Sequence, residues 1–97
     1  MYAVVRSYQD EASDVVEQLK QREESVKEVM RGIDGFLAYY LIDTQSGGVA
    51  TVSVFEDRSG AEESTRAAGK WVRENISDWV PNPPTIHQGE VVIDISR

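Results

Sequence analysis

The sequence contains no cysteine, and this absence excludes several kinds of site. Disulfide bonds, thiolate metal centres and cysteine nucleophiles are all impossible in this chain. Histidine is almost as scarce, because His87 is the only one, and a single imidazole without any thiolate does not make a zinc site. We therefore expect no metal centre in this protein.

Basic residues are also few compared with acidic ones. The chain has 10 lysines and arginines against 17 aspartates and glutamates, and its formal net charge is −7. The basic residues are scattered among acidic ones, so the chain as a whole repels nucleic acids and anionic lipids. No apolar run reaches the roughly 18 residues of a membrane span, and no secretory apolar segment precedes the first strand pattern. We expect a cytoplasmic protein whose partners include neither nucleic acid nor membrane.

The composition is that of a folded domain. Hydrophobic residues make up 40% and charged residues 28% of the 97 positions, which is typical of globular proteins and not of disordered ones. No linker, low-complexity tract or internal repeat divides the chain. We therefore expect a single domain that spans residues 1–97.

The most informative segment runs from residue 35 to residue 57. Two runs rich in β-branched and aromatic residues flank the polar stretch Asp43–Gly48, which predicts an antiparallel hairpin. Strict alternation in the first run places one set of side chains on one face (Phe36, Ala38, Tyr40, Ile42) and a second set on the other (Leu37, Tyr39, Leu41). Both sets are apolar, so we expect helices on one face and a ligand or a second copy of the chain on the other.

Two amphipathic helices are predicted, one before the hairpin and one after it. Apolar residues recur at three- and four-residue steps up to Arg31, which indicates one helix capped by Asp10 or Ser13. The segment Ser59–Glu62 has the composition of a capping box, so a second helix should begin there and end near Ser77.

Strand patterns at both ends of the chain complete the architecture. Tyr2–Tyr8 and Thr85–Ser96 are rich in alternating β-formers, so the element order is β-α-β-β-α-β. This order predicts an α+β, ferredoxin-like fold with a four-stranded antiparallel sheet. Because both helices cover one face of that sheet, the other face can be covered by a second copy through a two-fold axis. We expect a homodimer.

The sequence resembles the antibiotic biosynthesis monooxygenase-like (ABM) family of dimeric α/β-barrel domains. The resemblance covers nearly the whole chain and rests on the Gly35-Phe36 start of the hairpin, the Tyr39–Asp43 and Val52–Asp57 strands, and Trp71 in the second helix. It implies a homodimer whose sheets face each other, with a pocket between sheet and helices in each subunit. Family members include cofactor-free oxygenases of phenolic or polyaromatic compounds, haem-degrading proteins and proteins of no known activity.

The family's catalytic residues are matched only at the tryptophan. Quinone-forming members place an asparagine one helical turn before it, where this chain has Ala67. Haem-degrading members use an asparagine on the first strand and a histidine beyond the tryptophan, and this chain has Ser7 and Pro81 there. His87 lies nearer the last strand and does not match that histidine.

Five residues are candidates for a ligand pocket, each with a second interpretation. Trp71 either lines an aromatic-binding pocket or fills the core. Asn75, one turn later, either orients a substrate or binds backbone at the helix end. Tyr39 and Tyr40 point to opposite faces, so we expect at most one of them in the pocket and the other at the dimer interface. His87 is either a base near neutral pH or an exposed loop residue.

Together these features predict a cofactor-independent, monooxygenase-like protein that acts on a small hydrophobic or aromatic ligand. The reduced substrate itself would donate electrons to oxygen, so no cofactor is expected. A non-catalytic small-molecule-binding or structural homodimer is the first alternative, because the catalytic asparagines and histidine lack counterparts. A haem-binding or haem-degrading protein is the second alternative.

Overall fold

The computed structural model describes residues 1–9, 14–44 and 48–97. In chain order its elements are β1 (Tyr2–Tyr8), α1 (Val15–Gln21), α2 (Glu23–Arg31), β2 (Phe36–Asp43), β3 (Val49–Phe55), α3 (Arg58–Asn75) and β4 (Thr85–Glu90). The four strands form one antiparallel sheet in the order β2-β3-β1-β4. The predicted α+β, ferredoxin-like fold is thereby confirmed.

The first helical segment is broken, whereas the sequence pattern predicted one continuous helix up to Arg31. The break falls at Arg22, whose side chain turns back and donates to Gln18, to the backbone oxygen at 3.2 Å and to Oε1 at 2.7 Å. No apolar residue lies between Leu19 and Val26, so packing on the sheet does not hold this stretch straight. The predicted caps Asp10 and Ser13 lie outside the described residues.

Helix α3 begins slightly earlier than its predicted capping box. Its N-cap is Asp57, and Oδ1 of this residue accepts hydrogen bonds from the Gly60 N–H at 3.3 Å and the Ser59 hydroxyl at 2.7 Å. Ser59, the predicted N-cap, is therefore inside the helix. Asp57 takes the role because its extended backbone at the end of the hairpin already has the geometry of an N-cap.

The start of β2 departs from strict alternation. A register shift between Phe36 and Ala38 places Phe36 against Phe55, with ring centroids 6.0 Å apart in an edge-to-face arrangement. Phe36 therefore lies on the same face as Tyr39, and the predicted grouping of Phe36 with Ala38 is wrong. Gly35 precedes this irregularity with a φ of 79°, a conformation that favours glycine.

The last strand is shorter than predicted, because β4 ends at Glu90 and not at Ser96. The pairing of β4 with β1 ends with Glu90 opposite Tyr2, and the Val91 N–H donates to the Met1 backbone oxygen at 2.9 Å. Three apolar side chains that follow are exposed by 76% or more (Val92, Ile93, Ile95).

The two faces of the sheet differ in what covers them. The inner face packs against the helices and carries buried residues from β1 and β3 (Val4, Arg6, Tyr8, Thr51, Ser53, Phe55). The outer face bears the alternate residues, and one row across it reads Tyr40, Val52, Val5 and His87. No described element of the chain covers the outer face, and Tyr40 is 60% exposed there.

Candidate functional site

Three cavities between the helices and the sheet bear on the candidate site. The central cavity holds about 50 Å³ and is lined by Trp71, Met30, Val49 and Thr51 among others. The proline-side cavity holds about 340 Å³ and is lined by Arg6, Tyr8, Val72, Ile86 and the segment 81–84. The edge groove holds about 330 Å³ and runs between α1, α2 and β2, past Tyr39.

Size decides which cavity can take a ligand. A cavity of about 150 Å³ accepts benzene, so the central cavity is too small for an aromatic ring. The proline-side cavity falls in the range of about 300–1,000 Å³ that is usual for small-molecule sites. Tyr8, Ala68, Val72 and Val80 line both cavities, so the two cavities are neighbours that share these four residues.

The segment that connects α3 to β4 forms one wall of the proline-side cavity. It consists of Pro81, Asn82, Pro83 and Pro84, and all four residues line the cavity. Proline rings fix the backbone φ angle and present flat apolar surfaces without an N–H donor. This wall is therefore rigid and apolar, which suits a planar hydrophobic ligand.

Arg6 lies at the base of this cavity, on the inner face of β1, and is only 2% exposed. Its Nη1 donates to Ser53 Oγ at 3.3 Å, and its Nη2 donates to Ser64 Oγ at 2.7 Å and Thr65 Oγ1 at 3.1 Å. No described carboxylate forms an ion pair with it. Burial lowers the pKa of Arg6 from its ordinary value, as expected for a cation removed from water.

Two polar atoms of the inner face have no hydrogen-bond partner among the described residues. One is the Arg6 Nε, and the other is Oγ1 of Thr51, which is directly opposite Arg6 in the β1-β3 pairing. Thr51 lines the central cavity and Arg6 lines the proline-side cavity. Each of these unpaired polar atoms therefore belongs to a residue that lines a cavity, and buried polar atoms of this kind usually have a hydrogen-bond partner.

The adjacent tyrosines Tyr39 and Tyr40 face opposite sides of the sheet, as their alternation predicts. Tyr39 is on the inner face and lines the edge groove, whereas Tyr40 is on the outer face. Burial raises the pKa of Tyr39 to about 12. Its phenol therefore stays protonated near neutral pH and can donate a hydrogen bond, but it cannot act as a base.

Trp71 is 8% exposed and lines the central cavity from α3. Its indole N–H donates to Ser25 Oγ on α2 at 2.8 Å. Asn75, the last residue of α3, is exposed and donates through Nδ2 to the Trp71 backbone oxygen at 2.9 Å. Trp71 therefore joins the two helices, and Asn75 caps the end of its own helix.

His87 is exposed on β4, and its pairing with Val5 places it on the outer face. Among the predicted pocket residues, only Trp71 and Tyr39 line a cavity, and they line different ones. Neither Asn75, Tyr40 nor His87 lines any of the three cavities.

Sequence reasoning did not single out Arg6, Tyr8 or Thr51. One signal was available, because Arg6 is the only charged residue of the β1 run Tyr2–Tyr8 and shares a face with Tyr2, Val4 and Tyr8. A charged residue in an apolar, inward-facing row needs a special reason to be there.

Within residues 1–9, 14–44 and 48–97, no three histidine or acidic side chains come together in a way that could hold a metal ion. None of the helices in those ranges has the length and apolar character required to cross a bilayer.

Several solved structures are similar to this fold, although their sequence identity to this chain is low. No protein-family model and no curated protein matches the chain. Its structure is similar to that of a monooxygenase from the ActVA-Orf6 gene of Streptomyces coelicolor in complex with nanaomycin D. The TM-score is 0.72 and the identity 16%, over 99% of this chain and 91% of that one.

Two further solved structures are similar over almost their full length. A variant of MhuD with two manganese protoporphyrin IX molecules bound per active site has a TM-score of 0.73 and 16% identity, over 100% of both chains. A protein described as an antibiotic biosynthesis monooxygenase has a TM-score of 0.63 and 19% identity, over 96% of this chain and 100% of that one. This chain therefore has the α+β, ferredoxin-like fold of antibiotic biosynthesis monooxygenase-like proteins.

Proposed function

We propose that the protein is a cofactor-independent, monooxygenase-like protein that acts on a small aromatic ligand in the proline-side cavity. The observation that supports this most directly is the cavity of about 340 Å³ with apolar walls and polar donors at its base. A structural neighbour named as a monooxygenase was solved in complex with nanaomycin D, which supports a small-molecule site in this fold.

The proposed reaction uses the substrate as its own reductant. For 1,4-dihydroxynaphthalene, one oxygen atom of O₂ forms the new C–O bond of 2-hydroxy-1,4-naphthoquinone. The other oxygen atom leaves as water with two hydrogens of the substrate, so atoms and electrons balance. The protein contributes by holding the ring in one orientation and by excluding bulk water around it.

Oxygen uptake in the presence of catalase tests this reaction. Spontaneous oxidation of the hydroquinone releases hydrogen peroxide, from which catalase returns oxygen, whereas monooxygenation releases water. We expect protein-dependent uptake that catalase does not reduce, together with formation of 2-hydroxy-1,4-naphthoquinone. Absence of that product from reactions with folded protein would contradict the proposed activity.

A matched pair of variants locates the activity in the cavity. Ala68 lines both the proline-side and central cavities, so the larger ring of Ala68→Phe should take up cavity space and abolish uptake. Lys70 is exposed on the same helix, so Lys70→Phe adds the same ring without filling a cavity and should leave the rate unchanged. Equal rates in the two variants would place the reaction elsewhere.

A non-catalytic binding protein is the second candidate function. The position of His87 favours it, because the only imidazole lies on the outer face, away from the cavities. If this candidate is right, 1,4-dihydroxynaphthalene bound to the protein is oxidised no faster than in buffer. Recovery of 2-hydroxy-1,4-naphthoquinone in excess of the buffer control would rule it out.

The residues of the cavities do not fit a histidine-ligated haem. His87 is exposed on the opposite face of the sheet, and no other histidine exists in the chain. Haem titration of the protein should therefore give no Soret shift of the kind that histidine ligation causes. Such a shift, lost in His87→Ala, would contradict this placement.

We also propose a homodimer formed through the outer face. Tyr40 and Ile42 are 60% and 45% exposed there, next to the apolar side chains of Val5 and Val52. An apolar sheet face without cover is unusual for a monomer, and a second copy offers an identical surface through a two-fold axis. We assign this dimer to the cytoplasm, because a chain without cysteine needs no oxidising compartment.

A further inference from the structure

Arg6 is a buried cation for which the described residues supply no negative charge. It is 2% exposed, and its three hydrogen bonds go to the neutral hydroxyls of Ser53, Ser64 and Thr65. We propose that the negative charge comes from the ligand, an aromatic compound with an anionic oxygen. The oxygen belongs to a carboxylate or an ionised phenol and binds at the Arg6 end of the proline-side cavity. Although this ligand class rests on the proposed function, it concerns binding and not oxidation.

The hydroxyls around Arg6 hold the guanidinium in place but do not neutralise it. Ser64 Oγ donates to the Ala61 backbone oxygen at 2.7 Å, and Thr65 Oγ1 donates to the same oxygen at 3.4 Å. Ser64 and Thr65 therefore use their hydroxyl protons in these bonds and accept from Arg6 through their oxygen lone pairs. A buried charge without a counter-ion is unfavourable, and an arginine has five N–H donors, so Arg6 keeps both charge and donors for an anion.

The charges that line the cavity all have one sign. Of its lining residues, only Arg6 and Arg73 are charged, and Arg73 is exposed at the rim. The whole chain carries a net charge of −7, so its general field repels anions. A cationic cavity in an acidic protein is therefore a local feature, and it favours an anion over a neutral ligand.

The remaining walls indicate that the anion is attached to an apolar frame. Val72, Val80, Ile86 and the prolines line the cavity, and Thr51, which pairs with Arg6 from β3, lines the neighbouring central cavity with its hydroxyl unpaired. An inorganic anion would leave these walls without contact, whereas an aromatic acid or phenolate fills them and places its oxygen at Arg6.

Isothermal titration with two nearly isosteric probes tests this assignment. Near neutral pH, 2-naphthoate is an anion and 2-naphthamide is neutral. We expect wild-type protein to bind the naphthoate at least about tenfold more tightly, a difference of about 1.4 kcal/mol. A second pair, 2-hydroxy-1,4-naphthoquinone and 1,4-naphthoquinone, compares the affinity for an ionised enol with that for a neutral quinone. Equal affinities of the wild type within both pairs would overturn the proposal.

Variants then assign the preference to one residue. Arg6→Met should bind naphthoate and naphthamide equally, and Arg6→Lys should keep part of the preference because it keeps the charge. Arg73→Met is the control, because its contribution at the exposed rim should disappear in about 0.5 M salt, where screening extends only a few ångströms. A preference that persists in folded Arg6→Met, or that is lost in Arg73→Met at high salt, would also overturn the proposal.

The stability of the variants separates a ligand role from a structural one. If Arg6 is present for a ligand, Arg6→Met should unfold at the same or a higher temperature than wild type, because a buried unpaired charge has been removed. A markedly lower temperature would show that Arg6 serves the fold. If the protein prefers the anionic probes but shows no oxygen uptake, only the proposed oxidation is refuted. If it shows oxygen uptake but no preference for the anionic probes, only the proposed anionic ligand is refuted.

Discussion

The contact between Trp71 and Ser25 decides whether this tryptophan is part of the framework or of the ligand site. Its indole N–H donates to Ser25 Oγ at 2.8 Å, across the interface of α3 and α2. If this bond holds in solution, the N–H is not available to a ligand, and Trp71 stabilises the cavity wall only by packing. Ser25→Ala, which removes the acceptor and leaves the indole intact, tests this.

The size of the effect follows from the burial of the donor. Trp71 is 8% exposed, so Ser25→Ala leaves an almost buried N–H without a partner, at a cost of about 1–3 kcal/mol. Alanine is a better helix former than serine, so the substitution also stabilises α2 by about 0.5 kcal/mol. The net loss should be roughly 1–2 kcal/mol, equivalent to a midpoint lowered by about 5–15 °C in a domain of this size.

A double-mutant cycle isolates this bond from the packing of the ring. In the Trp71→Phe background no N–H remains, so Ser25→Ala should be nearly neutral, and the coupling energy should be about 1 kcal/mol. Trp79 provides the control, because its N–H donates to Asp14 Oδ2 at 3.1 Å and does not contact Ser25. Ser25→Ala and Trp79→Phe should therefore be additive.

Urea unfolding followed by circular dichroism supplies the free energies, with the protein concentration fixed because a dimer's stability depends on it. A coupling between Ser25 and Trp71 below about 0.3 kcal/mol is within the range of independent sites. That result would refute the assignment of the indole N–H to Ser25. The indole N–H of Trp71 would then be available to bind a ligand.

Three other perturbations test separate parts of the structure. Val52→Lys places a charge in the centre of the outer face and should give a folded monomer by sedimentation velocity; a folded dimer would refute the proposed interface. Burial raises the pKa of Tyr39 to about 12, against an ordinary value near 10. The free energy of unfolding should therefore be unaffected by this group below pH 10 and should fall by up to about 2 kcal/mol as the pH rises toward 12. Tyr39→Phe should abolish that fall, and an unchanged pH profile in this variant would argue against burial of the phenol. Asp57→Ala should lower the melting temperature more than Ser59→Ala, since Asp57 caps α3; equal effects would contradict the observed cap.

The element order could be predicted from the sequence because it depends on local periodicity. Alternation of period two and stripes at three- and four-residue steps are properties of each segment by itself. The boundaries that were wrong depend on other segments. The extent of β4 is defined by its pairing with β1, and the irregularity between Phe36 and Ala38 by the pairing of β2 with β3.

The site was less predictable for a related physical reason. A cavity is the space that several elements leave unfilled, and the proline-side cavity is bounded by β1, α3, β4 and the segment before β4. No single-sequence pattern gives that volume, so attention fell on Trp71 as an aromatic residue and on His87 as the only imidazole. The inward charge at Arg6 was visible in the alternation of β1, but its lack of a counter-ion becomes apparent only when its neighbours are known.

The groups at the proline-side cavity also limit the chemistry that the protein can perform there. Its lining includes no histidine and no carboxylate, and the charged residues Arg6 and Arg73 are permanent cations. The lining residues therefore offer no base that is half-ionised near neutral pH, and the substrate must lose its own proton. Arg6 favours the ionised form and lowers the pKa of a bound phenol.

The pH at which oxygen uptake reaches half its maximum should then follow the substrate's pKa across a series of substituted hydroquinones, and should lie below that pKa in wild-type protein. A midpoint that is the same for every substrate would identify a titrating protein group and refute this mechanism.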